Sequence, residues 1–351
     1  MTRTLATILF CMLTVVSARP RVAADDAEML DAVRAVTGRL VLEQLAGGPL
    51  EGAWPGEEEY TGTVVAGLAD AFAVTLDADA RVAALIGGNF ILRRAGGNYY
   101  GDEAYALMCL SRMSEDSSSD MWRLVLEDFY ENVSLRGAQA YISQFEQADP
   151  SVAVFYLAHH TVAAFYVDAE DRELWRQALI DHLVRVEDDS AEAPVMALGM
   201  AAWALASTGT LGDSPLDPDV EETSYWYART LGDLPDLLQT HMIQEGELAG
   251  SFYWRFDHGT AGFGGPPGGY TEELVSSALG LTAAANRDDD SEAALTIRHV
   301  QDVLIANVSL DGTVRQHLTL GGHAYYSEAA GVLRALACLA MWTDPDLDLE
   351  D

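Results

Sequence analysis

The chain has no lysine. Its 20 cationic residues are all arginine and face 55 acids over 351 residues, a formal charge of −35. A surface this poor in cations repels nucleic acid and anionic membranes, because phosphate binding draws its affinity from counterions released by Lys and Arg. Both are therefore excluded as partners. Cysteine is nearly absent too, with only Cys11, Cys109 and Cys338. No zinc-type spacing can be made from three such distant residues, no His-Glu-x-x-His occurs, and no metal or other cofactor is expected. Cys109 and Cys338 each lie within an apolar helical stretch and read as buried free thiols. Long apolar runs are lacking after the first residues, which excludes stable membrane insertion, since a span needs about 20 such residues. Period-two alternation is also scarce, so strands are not expected to build the fold.

What is present begins with a secretory signal over residues 1–24. It has Arg3, an apolar run from Leu5 to Val16, and the small-residue end Val22-Ala23-Ala24 before Asp25. Cleavage is expected after Ala24. Phe10 stands before Cys11 where a lipid-anchored signal would have Gly or Ala. The location predicted is secreted or periplasmic, and loss of Arg3, Arg19 and Arg21 makes the chain still more acidic. The acid excess itself reads as a solvated surface. Residues 344–351 form an acidic tail.

One hexapeptide recurs: Asn132-Val-Ser-Leu-Arg-Gly137 and Asn307-Val-Ser-Leu-Asp-Gly312. Each copy ends a helical stretch and leads through a polar loop to an aromatic pair, Phe155-Tyr156 or Tyr325-Tyr326, which points to duplicated helix-loop-helix units. Apolar residues at three- and four-residue spacing predict twelve helices, over about 27–46, 60–75, 79–94, 99–113, 120–133, 151–167, 170–186, 192–207, 219–243, 270–285, 291–307 and 325–342. Odd members carry charge on one face; even members, such as Val195 to Ala204, are apolar all round and crowded with Ala, Gly and Ser. A helix apolar all round is buried on all sides. The pattern predicts an all-α protein, an (α/α)6 toroid of six outer and six inner helices over residues 25–343.

In such a toroid the loops that lead into the inner helices gather at one mouth, where function is expected. These loops combine glycine, which lets backbone approach a ligand, with aromatics that offer flat faces to sugar rings. Trp54, Tyr99, Tyr100, Tyr253, Trp254, Asp257, His323 and Tyr326 are the substrate-binding candidates, with Arg255 and Arg315 expected to hold an anionic group such as a uronate carboxylate. Tyr99-Tyr-Gly-Asp-Glu103 and Tyr325-Tyr-Ser-Glu328 each put a carboxylate in the first turn of an inner helix, and Tyr270 stands before Glu272 and Glu273. Acids there complement the helix dipole, but several around one mouth can also divide proton donor from acceptor. His258, Tyr270, Glu272, Glu103 and Glu328 are the catalytic candidates.

Other motifs lead elsewhere. Asp188-Asp-Ser-Ala-Glu192 and Asp288-Asp-Asp-Ser-Glu292 fit a diphosphate-magnesium pattern but read as helix caps. Gly262 to Gly269 lacks the Lys-Ser/Thr of a phosphate loop, and His159-His160 opens no zinc spacing. Both Asn-Val-Ser sites match a glycosylation acceptor but equally end helices.

The succession of Gly-rich loop, Tyr and small-residue helix in Gly265-Pro-Pro-Gly-Gly-Tyr-Thr-Glu-Glu-Leu-Val-Ser-Ser-Ala-Leu-Gly-Leu281 resembles the α/α-toroid superfamily. That superfamily holds terpenoid cyclases, protein prenyltransferases, thioester-containing complement domains and several glycan hydrolases and lyases. The likeness spans nearly all of the chain beyond the signal. The Asp-x-Asp-Asp acid of the squalene cyclases, the prenyltransferase zinc set and the Cys-Gly-Glu-Gln thioester are absent; His258-Gly259 resembles the lanthionine cyclases without their cysteine ligands. What the resemblance implies is a carbohydrate-active hydrolase or lyase on an acidic polysaccharide or oligosaccharide. A non-catalytic toroid that binds a small molecule or protein partner is the alternative, and a terpenoid cyclase-like enzyme lacking the usual acid a second one. The first predicts a mouth lined by Trp54, Tyr99, Trp254 and Tyr270 around a coupled acid and base.

Overall fold

The computed structural model describes residues 24–113, 120–216, 220–285 and 292–343. The expected signal up to residue 23, the acidic tail and the run from Asp288 to Ser291 lie outside the described residues. In chain order the elements are α1 (Ala24–Glu43), α2 (Thr61–Thr75), α3 (Ala78–Ala95), α4 (Gly101–Arg112), α5 (Asp120–Arg136), α6 (Ala138–Ile142), α7 (Pro150–Tyr166), α8 (Arg172–Leu183), α9 (Pro194–Ser207), α10 (Leu234–Thr240), α11 (Thr271–Ala284), α12 (Glu292–Ala306), β1 (Arg315–His317), β2 (Gly321–His323) and α13 (Tyr326–Thr343).

The inner ring runs α2, α4, α7, α9, α11, α13 and closes back on α2, each helix packed on the next. Helices α1, α3, α5, α8, α10 and α12 lie against it from outside. This is the α/α toroid that the alternation of apolar and amphipathic helices predicts. Closure rests on small residues. A Cβ on Gly67 of α2 would stand 2.6 Å from the Ala330 carbonyl of α13, and one on Gly199 of α9 would stand 2.5 Å from the Ser276 backbone of α11. Around these crossings Leu68, Leu107 and Leu157 are fully buried, each worth about 1.5–3 kcal/mol. Cys109 and Cys338 are free thiols; Cys109 is buried as the sequence predicts, whereas Cys338 is only half-buried.

Carboxylates fasten the mouth. Asp149 caps α7, taking the Ser151 N–H at 2.8 Å, and reaches the Glu192 N–H at 3.0 Å on the way to α9, with Pro150 in the first turn where no N–H is needed. Asp102 of α4 accepts the Thr63 N–H of α2 at 3.2 Å. Glu57 joins the two ends of the chain, accepting the Tyr326 and Ser327 N–H groups of α13 at 2.6 and 2.9 Å and the Ser327 hydroxyl at 2.8 Å.

Three expectations need correction. The helix predicted over 219–243 reduces to a 3-10 turn, Leu231–Asp233, and α10. Pro235 can stand only in a first turn, and the chain before it is held by aromatic anchors: Trp226 is fully buried and donates to the Val186 carbonyl at 2.8 Å, while Tyr225 stacks on Phe256 at 3.9 Å. Asp188 caps no helix; its carboxylate takes the Phe256 and Asp257 N–H groups at 2.8 Å each and anchors the long loop. The two hexapeptides also differ. Asn132 remains inside α5, whereas Asn307 lies beyond α12, fully buried, donating to the Thr271 hydroxyl at 3.0 Å, and so is closed to glycosylation in the folded chain. Their shared structural element is the terminal glycine, with φ of 88° at Gly137 and 78° at Gly312.

Candidate active site

A cavity of about 580 Å³ opens at the mouth, walled by the first turns of α2, α7, α9, α11 and α13. Its rim carries Glu57, Tyr60, Asp149, Glu192, Trp254, Glu272, Tyr325 and Glu328; its depth carries Phe155, Tyr156, His159, Met196, Met200 and Arg334. Aromatic and thioether groups thus face a ring of carboxylates. This volume lies within the range of ligand-sized clefts.

The carboxylates differ in how far they are committed. Glu57 and Asp149 spend both oxygens on backbone N–H groups at helix starts, as above, and Asp102 spends one. Glu272 accepts no hydrogen bond from a described residue; it is exposed at the cavity, and partial loss of water there raises its carboxyl. Glu328 reaches back to the Tyr325 N–H at 2.7 Å, and burial, reinforced by the like charge of Glu272, pushes it up to about 8. Glu328 therefore holds its proton near neutral pH, with Glu272 on the same cavity wall. Next to them Glu273 is fully buried with both oxygens unpartnered, and burial raises its carboxyl strongly. Across the mouth, Asp102 lies behind the wall formed by Thr63 and is raised to about 7 by burial and by Glu103; its Oδ1 has no partner.

The sequence candidates separate accordingly. Glu272, Glu328 and Trp254 line the cavity. Trp254 is fixed by its indole N–H, which donates to the Glu192 carbonyl at 2.5 Å, and Tyr270 packs behind it with ring centroids 4.8 Å apart. Tyr270 is thus a support, one layer away from the cavity. Glu103 is fully buried, ion-paired with Arg94 and bonded to the Tyr100 N–H at 2.9 Å, on the outer side of α4. His258 is exposed, stacked on Tyr253 at 3.9 Å and bonded through Nε2 to His241 Nδ1 at 3.1 Å, outside the cavity. Trp54 and Tyr99 belong to the core, with Trp54 fully buried and bonded to the Leu40 carbonyl at 2.8 Å. Tyr100 is partly exposed and touches the cavity only through Tyr156. Tyr326 gives its backbone N–H to Glu57. Arg255 pins the long loop to Asp188, with Asp257 beside it, and Arg315 and His323 are exposed on the β1–β2 hairpin. Neither arginine expected to hold a uronate reaches the cavity wall.

Sequence reasoning passed over Arg334, His159 and Asp149. Arg334 had a legible signal: a single charge in the middle of an otherwise apolar inner helix. A polar group so placed must find partners inside the ring.

No family model matches the chain, and no curated protein matches it in sequence. Solved structures do. An unsaturated glucuronyl hydrolase specific for heparin aligns over 92% of this chain and 99% of its own, with TM-score 0.60 and 9% identity. The unsaturated glucuronyl hydrolase of Bacillus sp. GL1, responsible for degradation of glycosaminoglycan, aligns over 92% and 97%, with TM-score 0.55 and 12% identity. A glycosyl hydrolase family 88 protein from Bacteroides vulgatus gives 90% and 99%, TM-score 0.52 and 11% identity. At these identities what is shared is the fold: the chain is an α/α toroid of the kind found in these hydrolases.

Proposed function

We propose that the protein is a carbohydrate-active hydrolase, secreted or periplasmic, acting on acidic oligosaccharides of the type that unsaturated glucuronyl hydrolases take. The observation that carries this reading is the Glu272–Glu328 pair in the mouth cavity, where burial and the like charge of Glu272 raise Glu328 to about 8 and burial raises Glu272. In the reaction Glu328 donates its proton to the substrate at the bond to be broken, and Glu272 takes one from the attacking water. Trp254, Tyr156 and Phe155 supply flat faces for the sugar rings. A binding protein would have no need of such a coupled pair, and an aliphatic terpenoid substrate would be poorly matched to so many carboxylates.

A second assignment within the same reaction has its own support. Asp102, raised to about 7 with Oδ1 unpartnered, would be the acid, and Asp149, on the cavity wall, its counterpart. The test is an assay of unsaturated glycosaminoglycan disaccharides, following loss of the unsaturated-uronate absorbance and release of reducing ends. Turnover by wild type, lost in Glu328→Gln and Glu272→Gln but kept in Asp102→Asn, upholds the first assignment; the reverse pattern transfers the chemistry to Asp102. No turnover on any such disaccharide would sink the proposal.

A further inference from the structure

The mouth gathers the first turns of the inner helices, while their C-terminal halves converge on a second cavity, of about 670 Å³, at the other end of the ring. All six inner helices supply its wall. Five aromatic residues line it, Tyr105, Phe165, Tyr166, Trp203 and Trp342, and among the described residues of the wall only Asp70 and Arg112 carry charge. The C-terminal end of each helix adds a partial negative charge, about half an elementary charge. Carboxylate, ring faces and helix ends all attract a cation.

Asp70 is the group that lacks a partner. Its side chain keeps 15% of its surface, on the wall of this cavity, and no described residue donates a hydrogen bond to either oxygen. Arg334 approaches Oδ2 only to 3.7 Å through Nε, too far for a hydrogen bond. That arginine is 4% exposed and committed to the rings of Tyr105 and Trp203, each 4.1 Å from its guanidinium carbon, and to His159 Nε2 at 2.9 Å. Arg112, exposed at the end of α4, is engaged as well. Burial raises the Asp70 carboxyl against the pull of both arginines, so the two do not make up for its lost water. A buried acceptor without a donor is costly. The missing donor has to come from outside the protein.

We propose that this cavity is a second ligand site, and that it takes a primary ammonium carried on an aromatic or aliphatic body, with Asp70 as the acceptor. The N–H donors of such a group match the partnerless carboxylate oxygens, which a quaternary ammonium cannot do. The body lies among Phe165, Tyr166 and Trp342, the rings outside the Arg334 stack. An anion meets Asp70 and six negative helix ends there. The site is independent of the chemistry assigned to the mouth.

The test uses the whole protein at neutral pH and constant ionic strength, with benzylammonium chloride, benzyl alcohol and sodium benzoate as probes of similar shape, followed by calorimetry. Wild type is expected to bind benzylammonium about tenfold more tightly than benzyl alcohol, the difference that a hydrogen bond to a charged group makes, and benzoate least. Asp70→Asn should remove the preference for the cation. Should that variant not fold with Arg334 left uncompensated, Asp70→Asn combined with Arg334→Met removes both buried charges and reads the same quantity. Trp342→Ala strips a ring from the wall and leaves the charge, so it should weaken benzylammonium and benzyl alcohol alike, by about threefold or more. Glu328→Gln, in the mouth, should leave the preference unchanged. A preference that survives the loss of Asp70, or that vanishes in Glu328→Gln, places the cation on other acids of the chain and overturns the assignment. Equal binding of cation and alcohol, tighter binding of benzoate, or no saturable binding leaves water as the partner of Asp70 and overturns it too.

Discussion

Two loops of the mouth begin alike and end as different devices. In Tyr99-Tyr-Gly-Asp-Glu103 and in Tyr325-Tyr-Ser-Glu328 the glutamate turns back to the N–H three residues before it, at 2.9 and 2.7 Å. As caps they are equivalent. Yet Glu103 is directed outward to Arg94, while Glu328 faces the cavity and Glu272. Burial raises both carboxyls, but Arg94 pulls against it at Glu103 and Glu272 adds to it at Glu328. The sign of one neighbour turns the same capping residue into a structural ion pair in one loop and a stored proton in the other.

The comparison can be broken most strongly at the sixth loop. Glu328→Gln keeps the reach-back cap through its amide oxygen and is expected to lower kcat/KM on an unsaturated disaccharide by about 100-fold or more, in the range typical for loss of a general acid. Glu103→Gln, assayed beside it where folded, should stay within about fivefold of wild type, since the residue touches nothing in the cavity. Equal losses in the two variants would erase the distinction.

Stability should follow the opposite order. Glu103→Gln removes a fully buried carboxylate that pairs with the partly exposed Arg94 and is expected to cost about 1–2 kcal/mol in urea unfolding. Glu57→Gln, which weakens the closure of α13 onto the first mouth loop, should cost about 1–2 kcal/mol. Glu328→Gln should cost less than either.

A smaller effect lies in pH dependence. A carboxyl raised in the folded state binds its proton more tightly there than in the unfolded chain. Its stabilisation is therefore complete below the unfolded value of about 4.3 and is lost as pH rises through the folded value of about 8. Wild type should melt at a lower temperature at pH 8.5 than at pH 5.5, and Glu328→Gln should show a shallower slope. Activity should fall on the alkaline side as Glu328 loses its proton. The smallest change is expected from Arg315→Ala: the residue is exposed on the hairpin, so substrate KM should move by less than about twofold.

Much of the architecture was legible because helix burial writes itself into composition. Val195 to Ala204 is apolar and small on every face, and a ring of such helices has few ways to pack. The stretch over 219–243 misled because its apolar residues recur at three- and four-residue spacing, while Tyr225 and Trp226 pack against Phe256 and Val186 in an irregular chain. At the site, Glu272, Glu328 and Trp254 were found because acids and aromatics in a loop ahead of an inner helix must come to the mouth. Trp54, Tyr99 and Glu103 obey the same rule and face the other way, since a loop residue's direction depends on its last few dihedrals. Arg255 and Arg315 looked free in sequence; one is held by Asp188 and the other stands on a hairpin outside the cavity.

By itself the sequence determined the helix periodicity, the alternation of buried and half-buried helices and hence the closed toroid, because these follow from local composition and spacing. The tertiary structure alone decided which carboxylates lose their water together, which are occupied by backbone N–H groups, and that the arginine in the middle of α13 lies beneath them. Those properties depend on distances between residues far apart in the chain, such as Glu57 and Tyr326 or Arg334 and His159. Proton affinity is set by such neighbours and by water exclusion, and neither is written in any single loop.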